Sequence, residues 1–224
     1  MPHIRVARTA RYETLGSERT AREVWFVLHG YGQLAASFIQ AFAVLDDGKR
    51  LIVAPEALNR FYLVSVDSGP AVDRPVGATW MTREDRQAEI ADYVEYLDAL
   101  AIRVLGGVRH DERGPRVIIL GFSQGTATAT RWVTQGAVRA DHLILWGGFV
   151  PPETDLTSPA LQRSSLRMVA GSRDQYLSDD RATAERQRLA RAGLDCQFVP
   201  YDGGHKIKSE PLLSLARSIA LPNE

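Results

Sequence analysis

The chain alternates short apolar runs with longer segments of helical period. Runs such as VWFVL, VIIL and LILW are apolar at consecutive positions, which is typical of strands covered by helices on both faces. Alternation of such runs with helical segments indicates an α/β fold built on a mostly parallel, twisted sheet. The predicted strands are Val24–Leu28, Leu51–Ala54, Val117–Gly121, Leu143–Trp146, Arg167–Ala170 and Gln197–Tyr201, with Ile4–Glu13 as a more polar N-terminal edge strand.

Two helices have clear boundaries in the sequence. Thr82 is a favoured cap residue before a predicted helix over 83–105, and Gly106 is expected to end it. Ser178 caps the second helix, whose acidic first turn and basic last turn complement the helix dipole, and Gly193 ends it. Three further helices are predicted over 35–46, 123–136 and 209–218.

Length and composition favour one domain and exclude several classes of protein. The chain has 224 residues and 45% apolar content, enough for one large domain or two small ones. We interpret 1–224 as one domain because no linker or repeat interrupts it. The least regular segment, 56–81, is too short to form a separate lid domain. Basic and acidic residues number 27 each, so no net charge attracts nucleic acid or an anionic membrane.

Cysteine content and hydropathy predict the compartment. The single cysteine, Cys196, excludes an intramolecular disulfide and a cysteine-based zinc site. The first residues lack an apolar core of secretory type, and no run of 18 apolar residues predicts membrane insertion. We therefore expect a soluble cytoplasmic protein without a metal. The pattern leaves the oligomeric state open, a homodimer included.

A serine lies between two glycines, in GFSQG (121–125), where a predicted strand meets a predicted helix. A sharp strand-to-helix turn leaves little room for side chains, so Gly121 and Gly125 let Ser123 project its hydroxyl out of the bend. This arrangement exposes a nucleophile, provided that a histidine takes its proton and a carboxylate orients that histidine. The alternative is that Ser123 is an ordinary helix cap.

Partners for this serine follow two later strands. One strand leads into GSRD, which ends at Asp174, and the next leads into DGGH, which runs from Asp202 to His205. Loops at the carboxyl ends of parallel strands meet at one edge of a sheet. The order Ser123, Asp174, His205 is that of α/β-hydrolases. Asp202 is the main rival of Asp174, since it is close enough to His205 to bond locally. Asp179 and Asp180 are two further candidates for the carboxylate.

Acyl transfer also needs backbone donors for the developing oxyanion. Gln124, directly after the serine, supplies one amide. The first inner strand ends in HGYG (29–32), whose glycines permit a bend that turns the Tyr31 N–H inward. We interpret His29 as bracing this loop. Gln33 and Leu34 follow it and are candidates to line the mouth of the site.

Four motifs together resemble the phospholipase/carboxylesterase family of α/β-hydrolases, which includes bacterial carboxylesterases and acyl-protein thioesterases. They are LHGYG (28–32), GFSQG (121–125), GSRD (171–174) and GGH (203–205), and the resemblance spans about residues 23 to 220. The resemblance implies the α/β-hydrolase fold and a serine hydrolase without a cofactor. The roles that it implies are Ser123 as nucleophile, His205 as acid and base, Asp174 as orienting carboxylate, and the Tyr31 and Gln124 amides as the oxyanion hole.

The expected substrate is a small-molecule carboxylic ester with a short or medium acyl chain, because no lid is predicted over the site. The alternatives are a lysophospholipase or acyl-protein thioesterase, and a hydrolase fold that binds a ligand without turnover. Trp80 matches a tryptophan that lies near the acyl pocket in similar proteins. Phe61 and Tyr62 are further candidates for substrate contact, although all three aromatics fit equally well in a core or at a rim.

Overall fold

The apolar runs of the sequence form the centre of a mostly parallel sheet. The computed structural model describes residues 2–64, 73–108 and 114–219. Its strands are β1 (Tyr12–Leu15), β2 (Glu23–Leu28), β3 (Arg50–Pro55), β4 (Asn59–Tyr62), β5 (Val76–Thr79), β6 (Arg116–Phe122), β7 (His142–Trp146), β8 (Ser165–Gly171) and β9 (Cys196–Tyr201). Within this described part of the chain, the main sheet has the order β1-β3-β2-β6-β7-β8-β9, and only β1 is antiparallel to its neighbour.

Helices cover both faces of this sheet. They are α1 (Ala35–Phe38), which continues as a 3₁₀ helix over Ile39–Leu45, then α2 (Arg86–Gly107), α3 (Gln124–Gln135), α4 (Pro159–Arg163), α5 (Asp179–Arg191) and α6 (Ser209–Ile219). In β2, Val24 and Phe26 join the core beneath α2 and α3, whereas Trp25 and Val27 join the core beneath α1 and α6. Both faces of the run VWFVL are therefore buried, which explains why it has no polar position.

This architecture confirms the predicted α/β fold with helices on both faces. Each of the six predicted inner strands is present, with ends that differ by at most two residues. The described residues contain no separate lid domain. Because the inner strands are parallel, the loops after β2, β6, β8 and β9 all lie at the same edge of the sheet.

The predicted N-terminal edge strand over Ile4–Glu13 is wrong in its extent. The strand begins at Tyr12, which pairs with Pro55, the last residue of β3. Residues before position 11 thus extend beyond the end of the strand with which β1 pairs. Ile4 and Val6 are accordingly 87% and 76% exposed.

The predicted start of the long helix is also wrong. Helix α2 begins at Arg86, and its N-cap residue is Asp85 in the left-handed conformation, with φ of 46°. The hydroxyl of Thr82 instead accepts a hydrogen bond from the Glu84 N–H at 3.1 Å. Short polar side chains readily close such local turns, and this turn takes the place of the predicted cap. The helix also extends one residue past Gly106.

The segment 56–81 is more regular than its sequence indicates, because it contains the antiparallel hairpin β4–β5. Residues 65–72 of this segment lie outside the described residues. The hairpin is joined to the loop after β2, since Gly32 N–H donates to Ala78 O at 2.8 Å and Ala78 N–H donates to Gln33 O at 3.3 Å. A Cβ atom on Gly77 would lie 2.4 Å from Gly32 O, so this close approach requires glycine. Two four-residue strands with a long connection give no short-turn signal that a sequence pattern could detect.

Candidate active site

Ser123 lies in the sharp turn between β6 and α3. Its φ of 53° and ψ of −115° are strained for a residue with a side chain. A Cβ atom on Gly121 would lie 2.2 Å from Gly125 O, and one on Gly125 would lie 2.2 Å from Leu28 O. Glycine at both positions thus permits the turn and the close packing of α3 on β2. The Ser123 side chain makes no capping hydrogen bond to α3, which removes the reason for interpreting it as an ordinary helix cap.

Asp174 and His205 meet across the loops after β8 and β9. These strands are parallel neighbours, so the loops that follow them lie side by side. His205 Nδ1 lies 2.8 Å from Asp174 Oδ2, and the second carboxylate oxygen of Asp174 accepts a hydrogen bond from the Tyr176 N–H at 2.9 Å. Asp174 is buried. A buried carboxylate at this distance fixes the orientation and tautomer of the imidazole.

The rival carboxylate, Asp202, points elsewhere. It is exposed and forms an ion pair with Arg173. The Arg173 guanidinium, through its hydrogen bond and its charge, lowers the pKa of this carboxylate. Asp202 therefore belongs to a solvated surface pair, and the structure brings Asp174 to His205 instead.

His205 lies beside the serine turn. Its ring centre is 4.9 Å from that of Phe122, the residue before Ser123. A Cβ atom on Gly147 would lie 3.0 Å from His205 Cε1, and the adjoining residue, Trp146, accepts the Ser123 N–H at 2.9 Å. No hydrogen bond joins the Ser123 hydroxyl to His205 among the described residues, and such contacts are often longer in unliganded enzymes. The fold thus brings alcohol, imidazole and carboxylate to one edge of the sheet.

The loop after β2 passes next to the serine. A Cβ atom on Gly30 would lie 3.2 Å from Ser123 Cβ. Neither the Tyr31 N–H nor the Gln124 N–H has an acceptor among the residues that the structure describes. Two free amides near one hydroxyl can bind a negative oxygen, and the dipole of α3 adds to their effect.

Two buried side chains brace this loop. His29 Nδ1 lies 2.7 Å from Gly30 O, while His29 Nε2 accepts the Ala57 N–H at 3.0 Å. Because Nε2 is an acceptor, the proton of the neutral ring is on Nδ1, which donates to Gly30 O. Burial lowers the pKa of His29 and keeps the ring neutral. The Trp80 indole N–H donates to His29 O at 2.9 Å.

The five residues predicted to contact substrate fall into two groups. Trp80 is 1% exposed and lies in the core, whereas Leu34 is half-buried and packs against the same core. The Gln33 carboxamide oxygen accepts the Gly30 N–H at 2.8 Å, which makes it part of the loop's internal support. Phe61 and Tyr62 lie on β4, where the Phe61 ring packs at a tilt of 37° against the Tyr31 ring, with centres 5.0 Å apart, and Tyr62 is 49% exposed. Of the five, Tyr62 is the most exposed side chain and Trp80 is the most buried.

Sequence patterns missed two contacts at this edge. The Gln124 side chain accepts the Trp80 N–H at 3.1 Å and donates to Met81 O at 2.9 Å, which ties the end of β5 to the serine turn. Tyr176 packs edge-on against His205, with ring centres 4.7 Å apart. The second contact could have been predicted from the sequence, because Tyr176 is an aromatic residue only two positions after Asp174.

Comparison with known proteins identifies the family. The model of the Phospholipase/Carboxylesterase family matches residues 12–223. The chain belongs to this family. A carboxylesterase from Mesorhizobium loti is 20% identical, with a TM-score of 0.70 and 95% of each chain covered. The Zea mays acyl-protein thioesterase 2 is 19% identical, with a TM-score of 0.68, and covers 94% of this chain and 98% of its own.

A third similar structure, esterase PE8, is 20% identical, has a TM-score of 0.67 and covers 95% of this chain and 100% of its own. At such identities these structures support the α/β-hydrolase fold of this phospholipase/carboxylesterase family member. Comparison with functionally curated proteins found no match. In the described ranges, no helix is long and apolar enough to cross a bilayer, and no cluster of three or more potential ligand side chains could hold a metal ion.

Proposed function

We propose that this family member is a serine hydrolase that cleaves carboxylic esters through an acyl-Ser123 intermediate. The observation that carries the proposal is the buried Asp174 carboxylate, 2.8 Å from His205 Nδ1, beside the strained turn that holds Ser123. An imidazole oriented by a buried carboxylate serves as a general base for a neighbouring hydroxyl. Membership of a carboxylesterase family supports the same chemistry.

In the first half of the reaction, His205 Nε2 takes the Ser123 proton while Oγ attacks the ester carbonyl carbon. The carbonyl oxygen becomes negative and accepts hydrogen bonds from the Tyr31 and Gln124 amides. The carbon–oxygen bond to the alcohol then breaks, and the His205 proton passes to the departing oxygen. Water repeats the sequence on the acyl-enzyme and restores the hydroxyl, so each turnover converts one ester and one water into an acid and an alcohol.

Labelling with a fluorophosphonate and hydrolysis of nitrophenyl butyrate test this proposal. Loss of the nucleophile in Ser123→Ala should abolish labelling and lower kcat by about 10⁶-fold, the effect known for a triad serine hydrolase. Ser172→Ala is the matched control, because Ser172 is an exposed serine on the loop that carries Asp174. Labelling that persists in Ser123→Ala, or a folded wild type that is never labelled, would overturn the proposal and favour a binding protein.

We also propose a preference for short or medium acyl chains, since no lid domain covers the serine turn among the described residues. A series of acetate, butyrate, octanoate and palmitate esters tests it. The value of kcat/KM should peak before palmitate. A rise through palmitate would instead indicate a lysophospholipase or a deacylase of lipidated proteins.

A further inference from the structure

Tyr176 is an exposed aromatic residue that packs against the candidate catalytic histidine. Its ring meets that of His205 edge-on, at 66°, with centres 4.7 Å apart, yet Tyr176 remains 57% exposed. The backbone is fixed on both sides. The Tyr176 N–H donates to Asp174, and the Tyr176 carbonyl accepts from the Arg181 guanidinium at 3.2 Å. An exposed aromatic ring whose backbone is anchored by two hydrogen bonds is well suited to contact a ligand.

The contacts around His205 leave its Nε2 atom as the ring nitrogen that can face a substrate. Asp174 occupies Nδ1, Phe122 lies against the ring, and Gly147 approaches Cε1. The Nε2 atom remains for proton transfer. In ester hydrolysis the alcohol oxygen must come within hydrogen-bond distance of Nε2 to receive the proton. The substituent on that oxygen then lies within reach of Tyr176, whose ring borders the imidazole.

We propose that Tyr176 forms the binding site for the alcohol half of the ester and favours neutral aryl and arylmethyl alcohols. This inference rests on the proposed function, since it assigns the alcohol side of the same site. Aromatic groups gain from edge-on or offset contact with a tyrosine ring beyond their apolar area. Saturated groups of the same size lack this gain.

Two cationic side chains on the neighbouring loops make a cationic alcohol a poorer partner than a neutral one. The Arg181 guanidinium, which bonds the Tyr176 carbonyl, lies 5.5 Å over the Phe149 ring. Lys206, directly after His205, is exposed. Asp179 and Asp180 adjoin Arg181 in the first turn of α5, so this part of the surface carries charges of both signs and offers no purely anionic site for a quaternary ammonium group. The site therefore differs from aromatic cages that bind cations, in which the ring itself is the main electrostatic partner.

Benzyl acetate and cyclohexylmethyl acetate form a matched pair for testing this assignment. Both give the same acetyl-enzyme, so a difference in kcat/KM reports binding and acylation up to release of the alcohol. In Tyr176→Ala, kcat/KM for the benzyl ester should fall about tenfold more than for the cyclohexylmethyl ester. Tyr176→Phe should keep the wild-type ratio, because the ring is retained.

Gln175→Ala is the control variant, since Gln175 is an exposed neighbour on the same loop and its ratio should not change. The pH profile of kcat/KM in Tyr176→Ala should match that of the wild type. If Tyr176→Ala lowers kcat/KM equally for both esters, the ratio is unchanged and the inference is overturned. A shifted pH profile in that case would show that Tyr176 only positions His205. A wild type that hydrolyses neither ester and resists the fluorophosphonate would overturn the proposed function together with this inference. Normal labelling without an aryl preference would overturn the inference alone.

Discussion

At the scale of single residues, burial separates the predicted carboxylate, Asp174, from its main rival in the sequence, Asp202. Asp174 is buried and bonded to His205 Nδ1, whereas Asp202 is exposed and paired with Arg173. Exposed ion pairs contribute little to stability, because water screens them, and they orient their neighbours weakly. A buried carboxylate has lost its water and stabilises the charged imidazole that forms during catalysis.

Replacement of each carboxylate by its amide tests this distinction. Asp174→Asn should lower kcat for nitrophenyl butyrate by about 10⁴-fold, because the amide favours the wrong imidazole tautomer. Asp202→Asn should stay within about threefold of the wild type, since its partner is a solvated arginine. A larger loss in Asp202→Asn than in Asp174→Asn would reverse the assignment. Thermal unfolding of both variants checks that the comparison is made on folded protein.

At the scale of elements, the first turn of α3 is packed tightly against the loop after β7. Thr126 is 2% exposed, and both its backbone N–H, at 3.0 Å, and its hydroxyl, at 2.7 Å, donate to Ser123 O. A Cβ atom on Gly148 would lie 2.3 Å from the Thr126 hydroxyl oxygen. The contact between Thr126 in α3 and Gly148 in the loop after β7 therefore helps to hold the serine turn in place.

A double-mutant cycle measures this contact. Gly148→Ala should lower the free energy of unfolding by about 1–3 kcal/mol, because the added methyl overpacks the site. The same change made in Thr126→Ala, which lacks the clashing hydroxyl and methyl, should cost clearly less. Urea denaturation of the two single variants and the double variant gives the coupling. Additive losses would mean that the loop moves aside and that the contact does not support the turn.

At the scale of the whole molecule, the candidate active site and an acid-sensitive histidine lie at opposite edges of the sheet. His142 is the first residue of β7, at the amino end of the strand. Burial and the charges of Arg116 and Arg167 lower its pKa to about 4 from an ordinary value of 6.5. The unfolded state therefore binds a proton more readily than the folded state does. This stabilising contribution is complete above pH 6.5 and is lost as the pH falls through about 4.

His142→Gln should reduce the dependence of stability on pH. The urea midpoint of the wild type should fall between about pH 7 and about pH 5, and the variant should show a smaller fall. Burial lowers the pKa of His29 as well, so some dependence should remain. His3→Gln, at an exposed histidine, serves as the control. Ester hydrolysis at neutral pH should not change, and a full wild-type fall in the variant would contradict the account.

The sequence by itself determined the inner strands, their parallel arrangement, and the motifs that carry the candidate chemistry. Runs such as VWFVL encode burial directly, because a strand covered on both faces tolerates no polar position. GFSQG likewise encodes a backbone shape, since a Cβ at Gly121 or Gly125 would clash with main-chain atoms. Such constraints are local, and a linear pattern can therefore express them.

Only the tertiary structure decided between candidates that depend on distant neighbours. It assigned Asp174 rather than Asp202 to His205, placed Trp80 in the core beneath the loop after β2, and engaged the Gln33 side chain within that loop. The edge strand beginning at Tyr12 is limited by the point where its partner β3 ends, a limit that its own residues do not contain. Each of these outcomes depends on which polar groups become desolvated when separate loops pack together. Desolvation of this kind is set by the assembled sheet and cannot be read from any one segment.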